Sequence, residues 1–151
     1  MRLFTLLLFA ASAVAFAATP DLTGTWKLNT SKSEFGQFPA PNSMTQKITH
    51  AEPKLTVENN MSGPQGDIAF TANYSTDGKE TTNSMMGNDM KSKAVWDGKV
   101  LVITSAGNFG GADVKVTNKY SLSEDRKTLT NLMNISAPQG DFELTYVLVK
   151  Q

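Results

Sequence analysis

An alternation of apolar and polar residues runs through nearly all of the chain after residue 18, and it limits the fold more than any other feature. In the run 68–75, apolar residues occupy every second position, and the runs 112–122 and 141–150 repeat the pattern. A period of two is that of a β-strand, whose side chains point alternately to opposite faces. Valine, threonine and aromatic residues, which suit strands, fill these runs. The sequence therefore predicts an all-β fold.

Turn signals divide the alternating runs at short intervals. Asp77-Gly78 and Asp97-Gly98 suit the central positions of tight hairpins, where a positive φ is needed. Segments rich in Pro or Gly, at 63–66, 107–111 and 137–140, mark further turns or links. The predicted strands are 23–30, 43–51, 54–61, 67–75, 80–85, 91–97, 99–106, 112–122, 127–135 and 141–150.

Eight to ten short antiparallel strands joined by hairpins favour an up-and-down β-barrel, because closure removes the exposed sheet edges. A two-sheet β-sandwich is the alternative. The segment 31–41 is the least regular, and we interpret it as a short helical turn with a loop over one barrel end.

The first residues are typical of a secretory signal peptide. Arg2 precedes an almost wholly apolar stretch from Leu3 to Phe16, and Ala15-Phe16-Ala17 supplies the small residues of a cleavage site. We predict a signal peptide at 1–17 and one domain at 18–151, with Ala18 as the alternative cleavage position and an uncleaved anchor as the alternative role. The predicted location is secreted or periplasmic, without stable membrane insertion after cleavage. The absence of cysteine fits a bacterial periplasm.

An internal repeat links 54–67 to 128–141, and both copies contain Pro-Gln-Gly-Asp. We interpret it as two similar hairpins on opposite parts of one barrel. The alternative is functional: two like loops that line the same rim.

The charge balance argues against nucleic acid and against anionic membrane surfaces as partners. Fourteen Lys and Arg residues match fourteen Asp and Glu residues, without a basic cluster. His50 is the only histidine, and Cys is absent. Catalytic triads and imidazole-rich metal sites need more than this. We therefore predict no catalytic residues, no metal site, no cofactor and no enzymatic activity, with His50 a solvated residue at a strand end.

Methionine is concentrated at Met85, Met86 and Met90. Thioethers are ligands that Cu(I) prefers, so a copper site is one interpretation. The other is that these flexible side chains line an apolar cavity or loop. The second interpretation fits a barrel better.

The segment Gly24-Thr25-Trp26-Lys27-Leu28-Asn29 resembles the first strand of the calycin superfamily, the lipocalins and fatty-acid-binding proteins. The resemblance implies that Trp26 plugs the closed end of the barrel and that Gly24 lets the chain pass close to it. It also implies that Lys150 packs over the ring; the alternative is that Lys150 is simply an exposed terminal lysine. The mature chain also resembles small exported lipocalin-like bacterial proteins of uncertain function, in 24–29, 31–36, 96–99 and the last strand. The last strand lacks the Arg of the fatty-acid-binding pattern, so the resemblance does not imply a carboxylate clamp.

The leading functional prediction is an exported, non-enzymatic protein that holds a small apolar ligand inside the barrel. The alternative is an exported interaction or inhibitor module that acts through its rim loops, with an unknown protein partner. Eight strands enclose an interior that side chains can fill, so a solid barrel also remains open. The candidate cavity residues are Trp26, Phe70, Tyr74, Trp96, Val102, Tyr120, Phe142 and Tyr146.

Overall fold

A computed structural model describes residues 18–151, which form ten antiparallel strands and one short 3₁₀ helix. The predicted signal peptide at 1–17 lies outside the described residues. The strands are β1 Gly24–Leu28, β2 Ser43–Ala51, β3 Lys54–Gly63, β4 Gly66–Ser75, β5 Thr81–Met85, β6 Asn88–Asp97, β7 Val100–Phe109, β8 Ala112–Leu122, β9 Thr128–Ala137 and β10 Gly140–Lys150.

The strands form one sheet in the order β4-β3-β2-β1-β10-β9-β8-β7-β6-β5. The first strand pairs with the last, with Trp26 opposite Lys150, so the sheet curls into a nearly closed up-and-down barrel. The predicted fold class is therefore confirmed, and all ten predicted strands are present. The sandwich alternative is wrong, because a single continuous sheet surrounds the interior.

One link predicted from glycines is part of a strand. β7 extends through Gly107 to Phe109, and the turn is reduced to Gly110-Gly111. A Cβ at Gly107 would lie 2.6 Å from the carbonyl oxygen of Asp89 on the neighbouring strand. Glycine is needed here for close packing and not for a turn.

A side chain bridges the one gap in the barrel, between β4 and β5. The backbone N–H of Asn73 donates to Oδ1 of Asn83 at 2.7 Å, and Nδ2 of Asn83 donates to the carbonyl of Asn73 at 3.1 Å. The Asn83 carboxamide thus takes the place of a neighbouring strand's backbone, and it satisfies edge groups that burial would otherwise leave unpaired.

The antiparallel order sorts the connections into two ends. What we call the closed end carries the turns after β2, β4, β6 and β8, together with residues 18–23 and the C-terminus. What we call the open end carries the turns after β3, β5, β7 and β9, and the loop 29–42.

The closed end is filled by a hydrophobic cluster that contains Trp26, and we call it the closed-end cluster. The Trp26 side chain is wholly buried, and its Nε1 donates to the carbonyl of Leu22 at 3.0 Å. The Nζ atom of Lys150 lies 5.5 Å from the Trp26 ring centroid, a cation–π distance. Gly24 lies beneath this pair, and a Cβ there would meet Lys150 Cε at 3.0 Å. The predicted roles of Trp26, Gly24 and Lys150 are confirmed.

His50 is not solvated, contrary to the prediction. Its side chain is only 3% exposed, because residues 18–23 fold across the end of β2. The N–H of Leu22 donates to Nδ1 at 3.3 Å, which leaves the ring proton on Nε2, 2.9 Å from Oε1 of Glu52. Glu52 also accepts from Trp96 Nε1 at 2.6 Å and from the Thr76 hydroxyl. These side chains therefore tie several connections of the closed end together.

The loop 29–42 covers part of the open end, as predicted for 31–41. It begins with the 3₁₀ helix Thr30–Lys32, which Asn29 caps through Oδ1. Glu34 pairs with Thr145 of β10, and Phe35 packs on Tyr146 with ring centroids 5.9 Å apart. The loop is thereby fixed to the barrel wall.

The repeated segments form two matching hairpins, β3–β4 and β9–β10, with Gly63 opposite Gly66 and Ala137 opposite Gly140. β2 and β1 separate them within the sheet. The structural interpretation of the repeat is confirmed. Both turns also lie at the open end, as the functional alternative requires. Their use as a shared contact surface is not tested by the structure and stays a prediction.

Candidate functional site

The barrel is hollow near its open end. A cavity of about 230 Å³ lies there, lined by side chains of β2, β3, β4, β5, β8, β9 and β10 and by the exposed Met86 in the turn after β5. Its lining residues are Met44, Gln46, Val57, Asn59, Met61, Ile68, Phe70, Tyr74, Met85, Met86, Val116, Asn118, Tyr120, Met133, Ile135 and Tyr146.

The filled and hollow halves meet at Val57 and Tyr120. Both residues belong to the closed-end cluster and also line the cavity, so they form its floor. The sequence left a solid barrel and an open barrel as alternatives. In the structure, side chains fill the closed end, and the open end contains the cavity.

Four of the predicted cavity residues line the cavity: Phe70, Tyr74, Tyr120 and Tyr146. Trp26 and Trp96 instead lie at the closed end, where they pack with the core cluster. Phe142 forms an edge-to-face pair with Phe38 of the loop 29–42, with ring centroids 5.4 Å apart.

Val102 does not face the interior. Its neighbours Leu101 and Ile103 are buried, and in a strand that places Val102 on the outer face. Its cross-strand partners are Val95 and Lys119, and both are exposed. The placement predicted for Val102 is therefore wrong.

Three polar residues of the cavity were missed: Gln46, Asn59 and Asn118. Gln46 Nε2 donates to Asn59 Oδ1 at 2.7 Å and lies 3.4 Å from the Tyr120 hydroxyl. Asn118 accepts from Asn131 Nδ2 at 2.9 Å. The alternation contained the signal, because Gln46 falls in phase with buried Met44 and Ile48, and a polar residue at such a position needs a partner.

Methionine contributes five of the cavity-lining side chains: Met44, Met61, Met85, Met86 and Met133. Met90 is buried away from them, with its sulfur against Gly107. The cluster Met85, Met86 and Met90 is therefore divided between the cavity and the core, which favours the cavity interpretation over a copper site. Within residues 18–151, no group of three His, Asp or Glu side chains is placed to hold a metal ion.

The cavity penalises negative charge. Every lining residue within the described part of the chain is uncharged. Burial raises the pKa of Tyr120 to about 12 and also raises the pKa values of Tyr74 and Tyr146, so all three hydroxyls keep their protons at neutral pH.

Carboxylates surround the open end on the outside. Each of its four hairpins carries an aspartate at the second position of the returning strand, and all four side chains are exposed. We call this set the acidic rim; its members are Asp67, Asp89, Asp113 and Asp141. Asp113 accepts from Asn108 Nδ2 and Asp141 from Ser136 Oγ across their hairpins.

A second cavity of about 210 Å³ lies under the loop 29–42. It shares Met61, Ile68, Ile135 and Tyr146 with the first cavity, so these side chains lie between the two spaces. Phe35, Phe38 and prolines of the loop form its roof, and its lining within the described residues is also uncharged. A larger groove of about 530 Å³, beside the β7–β8 and β9–β10 hairpins, is open to solvent and does not enclose a ligand.

The fold is similar to those of several solved structures, in agreement with the resemblance to calycin barrels. Zebrafish ileal bile acid-binding protein complexed with cholic acid matches with a TM-score of 0.62 and 17% identity, over 86% of this chain and 98% of that one. A secretory abundant heat soluble protein from Ramazzottius varieornatus matches with a TM-score of 0.64 and 16% identity, over 88% and 98%. A variant of the fluorescent protein UnaG matches with a TM-score of 0.58 and 17% identity, over 85% and 95%.

No protein-family model and no curated protein matches this chain. Among residues 18–151, no helix is long and apolar enough to cross a membrane.

Proposed function

We propose that this protein is a non-enzymatic binding protein that holds a small, mainly apolar molecule in the cavity at its open end. The observation that carries the proposal is the cavity of about 230 Å³ at the open end, next to a closed end that side chains fill. Protein interiors are normally close-packed, so a cavity of this size lined by apolar side chains calls for an explanation. Ligand burial would supply about 25 cal/mol per Å² of apolar surface.

The structural neighbours support binding over catalysis. The zebrafish neighbour is a bile acid-binding protein by name and was solved with cholic acid. Cholic acid, a steroid with a carboxyl group, is too large for the present cavity, which lies below the usual ligand-pocket range of about 300–1,000 Å³. We therefore propose the binding role from the likeness to this neighbour. From the volume of the cavity, we propose a ligand smaller than cholic acid.

Toluene tests the proposal because it fits the cavity and has no polar group. We expect the purified protein to bind toluene with a dissociation constant of about 0.1–1 mM, typical of a small apolar ligand. In an NMR titration, the amide shifts should concentrate on cavity-lining residues.

A matched pair of variants on β8 makes the test specific. Val116 faces the cavity and Lys115 is exposed on the outer face of the same strand. Val116→Trp should fill the cavity and abolish toluene binding, whereas Lys115→Trp should leave it unchanged. Equal binding by both variants, or no binding by the wild type, would refute the proposed function.

We also propose that the protein is exported by cleavage after Ala17. The support is the apolar run and the small residues at the predicted cleavage site. N-terminal sequencing of the protein recovered outside the cytoplasm should begin at Ala18. A cytoplasmic product that retains Met1 would refute export.

A rim-loop interaction module is the second candidate. The observation that favours it is that both Pro-Gln-Gly-Asp turns lie at the open end with exposed side chains. If partner binding is the function, exchanging both turns for Asn-Gly turns should abolish capture of that partner and leave toluene binding intact.

A further inference from the structure

The cavity also constrains the chemistry of its ligand, an inference that rests on the proposed function. Its size sets the first limit. An engineered cavity of roughly 150 Å³ holds benzene, so a cavity of about 230 Å³ corresponds by proportion to roughly nine non-hydrogen atoms. A bicyclic ring or a substituted benzene fits this limit.

Charge sets the second limit. A carboxylate moved into a site without a counter-charge loses its hydration and gains little in return. The cavity and the space beneath the loop 29–42 have no charged lining residue among residues 18–151.

Gln46 sets the third limit. Its side chain lines the cavity and is 3% exposed, and its Nε2 donates a hydrogen bond to Asn59. Its Oε1 has no hydrogen-bond partner among the residues that the structure describes. A buried acceptor without a donor is costly. Because Nε2 and Oε1 belong to one planar carboxamide and Asn59 holds Nε2, Oε1 keeps its place, and a ligand must bring its donor to it.

We propose that the cavity takes a neutral, mainly apolar molecule with one N–H or O–H group, and that Gln46 accepts a hydrogen bond from that group. Asn59, Asn118 and the Tyr120 hydroxyl complete a short polar strip around it. The remaining walls are methionine, aliphatic and aromatic side chains, which adapt to the apolar part of the ligand.

Two pairs of probes with matched shapes test this proposal by calorimetry on the purified protein. Benzamide and benzoate differ in charge, and we expect benzamide to bind at least tenfold more tightly at neutral pH. Indole and benzofuran differ in the N–H donor, and we expect roughly tenfold tighter binding of indole, the effect of satisfying one buried acceptor.

Gln46→Met keeps the length of the side chain and removes the acceptor, so it should reduce the indole preference to about one while benzofuran still binds. The matched control is Thr81→Val. The Thr81 hydroxyl is also buried and has no partner within residues 18–151, but it does not line the cavity, so this variant should keep the full indole preference.

The outcomes separate the two proposals. Equal affinity for benzamide and benzoate, or for indole and benzofuran, would overturn the ligand chemistry while toluene binding still supports the proposed function. Failure to bind toluene or any of the four probes would refute both. The wild-type probe series decides the question even if Gln46→Met does not fold.

Discussion

The closed and open ends are built from the same alternating strands, yet one is solid and the other hollow. At the closed end, Trp26, Leu101 and Leu148 are each at most 1% exposed, and they leave no room in the barrel. At the open end the inward positions hold aromatic and aliphatic residues together with methionine, asparagine and glutamine, and a cavity of about 230 Å³ remains among them.

Polar groups differ between the ends in the same way. At the closed end, the Glu52 carboxylate accepts hydrogen bonds from His50, Trp96 and Thr76. At the open end, Gln46 Oε1 has no partner among the described residues. The comparison teaches that one barrel can be filled and hydrogen-bonded at one end and keep a cavity and an unpaired acceptor at the other, among the residues that the structure describes.

Truncating an aromatic residue at each end should give the largest contrast. Trp26→Ala removes a wholly buried ring, and we expect it to lower the free energy of unfolding by about 3–5 kcal/mol. Phe70→Ala removes a ring that already borders empty space, so we expect about 1–2 kcal/mol. Urea unfolding measures both. Equal losses would contradict the division of the barrel.

Two isoleucines give a chemically identical pair. Ile48, 2% exposed, belongs to the closed-end cluster, and Ile68 lines the cavity. We expect Ile48→Ala to cost about 2–4 kcal/mol and Ile68→Ala about 1 kcal/mol, since only the first creates a new cavity. Ile68→Ala should also admit naphthalene, which is larger than the roughly nine non-hydrogen atoms that the wild-type cavity holds; a titration would detect it.

Enlarging a side chain should destabilise the fold at the closed end and stabilise it at the open end. Ala94 is wholly buried in the closed-end cluster, so we expect Ala94→Leu to cost about 1–3 kcal/mol through overpacking. Val116→Leu adds one methylene to the cavity, and we expect it to stabilise by up to about 0.8 kcal/mol. Thermal unfolding of the two variants decides the point; destabilisation by Val116→Leu would mean that the cavity is already full.

The alternation predicted the strands and the hairpins well, because a period of two and the Asp-Gly turns are local properties of the sequence. It did not predict which residues of β7 face inward, because Val100, Leu101, Val102 and Ile103 are all apolar and show no alternation. It also missed the Asn83 bridge, since two carboxamide bonds across a gap depend on strand curvature and not on local pattern.

The cavity was predictable only in part. The aromatic members Phe70, Tyr74, Tyr120 and Tyr146 were found because aromatic residues in phase with a buried face attract attention. Whether inward side chains fill a barrel depends on the sum of their volumes, which no single strand reveals. Gln46 was readable as a polar residue in phase with Met44 and Ile48, but its unpaired oxygen was not.

Removing the charge of Glu52 should change the free energy of unfolding least, and it tests the hydrogen bonds of the closed end specifically. Burial works to raise the pKa of Glu52, but hydrogen bonds from Thr76, Trp96 and His50 outweigh it and hold the pKa below its ordinary value. A carboxyl whose pKa is lowered by folding stabilises the fold above its unfolded pKa, and loses that contribution as the pH falls through the folded pKa. Glu52→Gln should therefore cost about 1 kcal/mol at pH 7, and the cost should vanish in acid.

Glu58 is the matched control, because the two glutamates are almost equally exposed, at 43% and 44%. Glu58 lies on the outer face of β3 and pairs with Lys47, at 3.4 Å. An exposed ion pair contributes little, so Glu58→Gln should change the free energy of unfolding by less than about 0.5 kcal/mol. Urea unfolding of wild type and both variants from pH 7 to pH 3 measures the difference. If both variants track the wild type at every pH, the Glu52 contacts do not stabilise the closed end, and the apolar cluster around Trp26 does so alone.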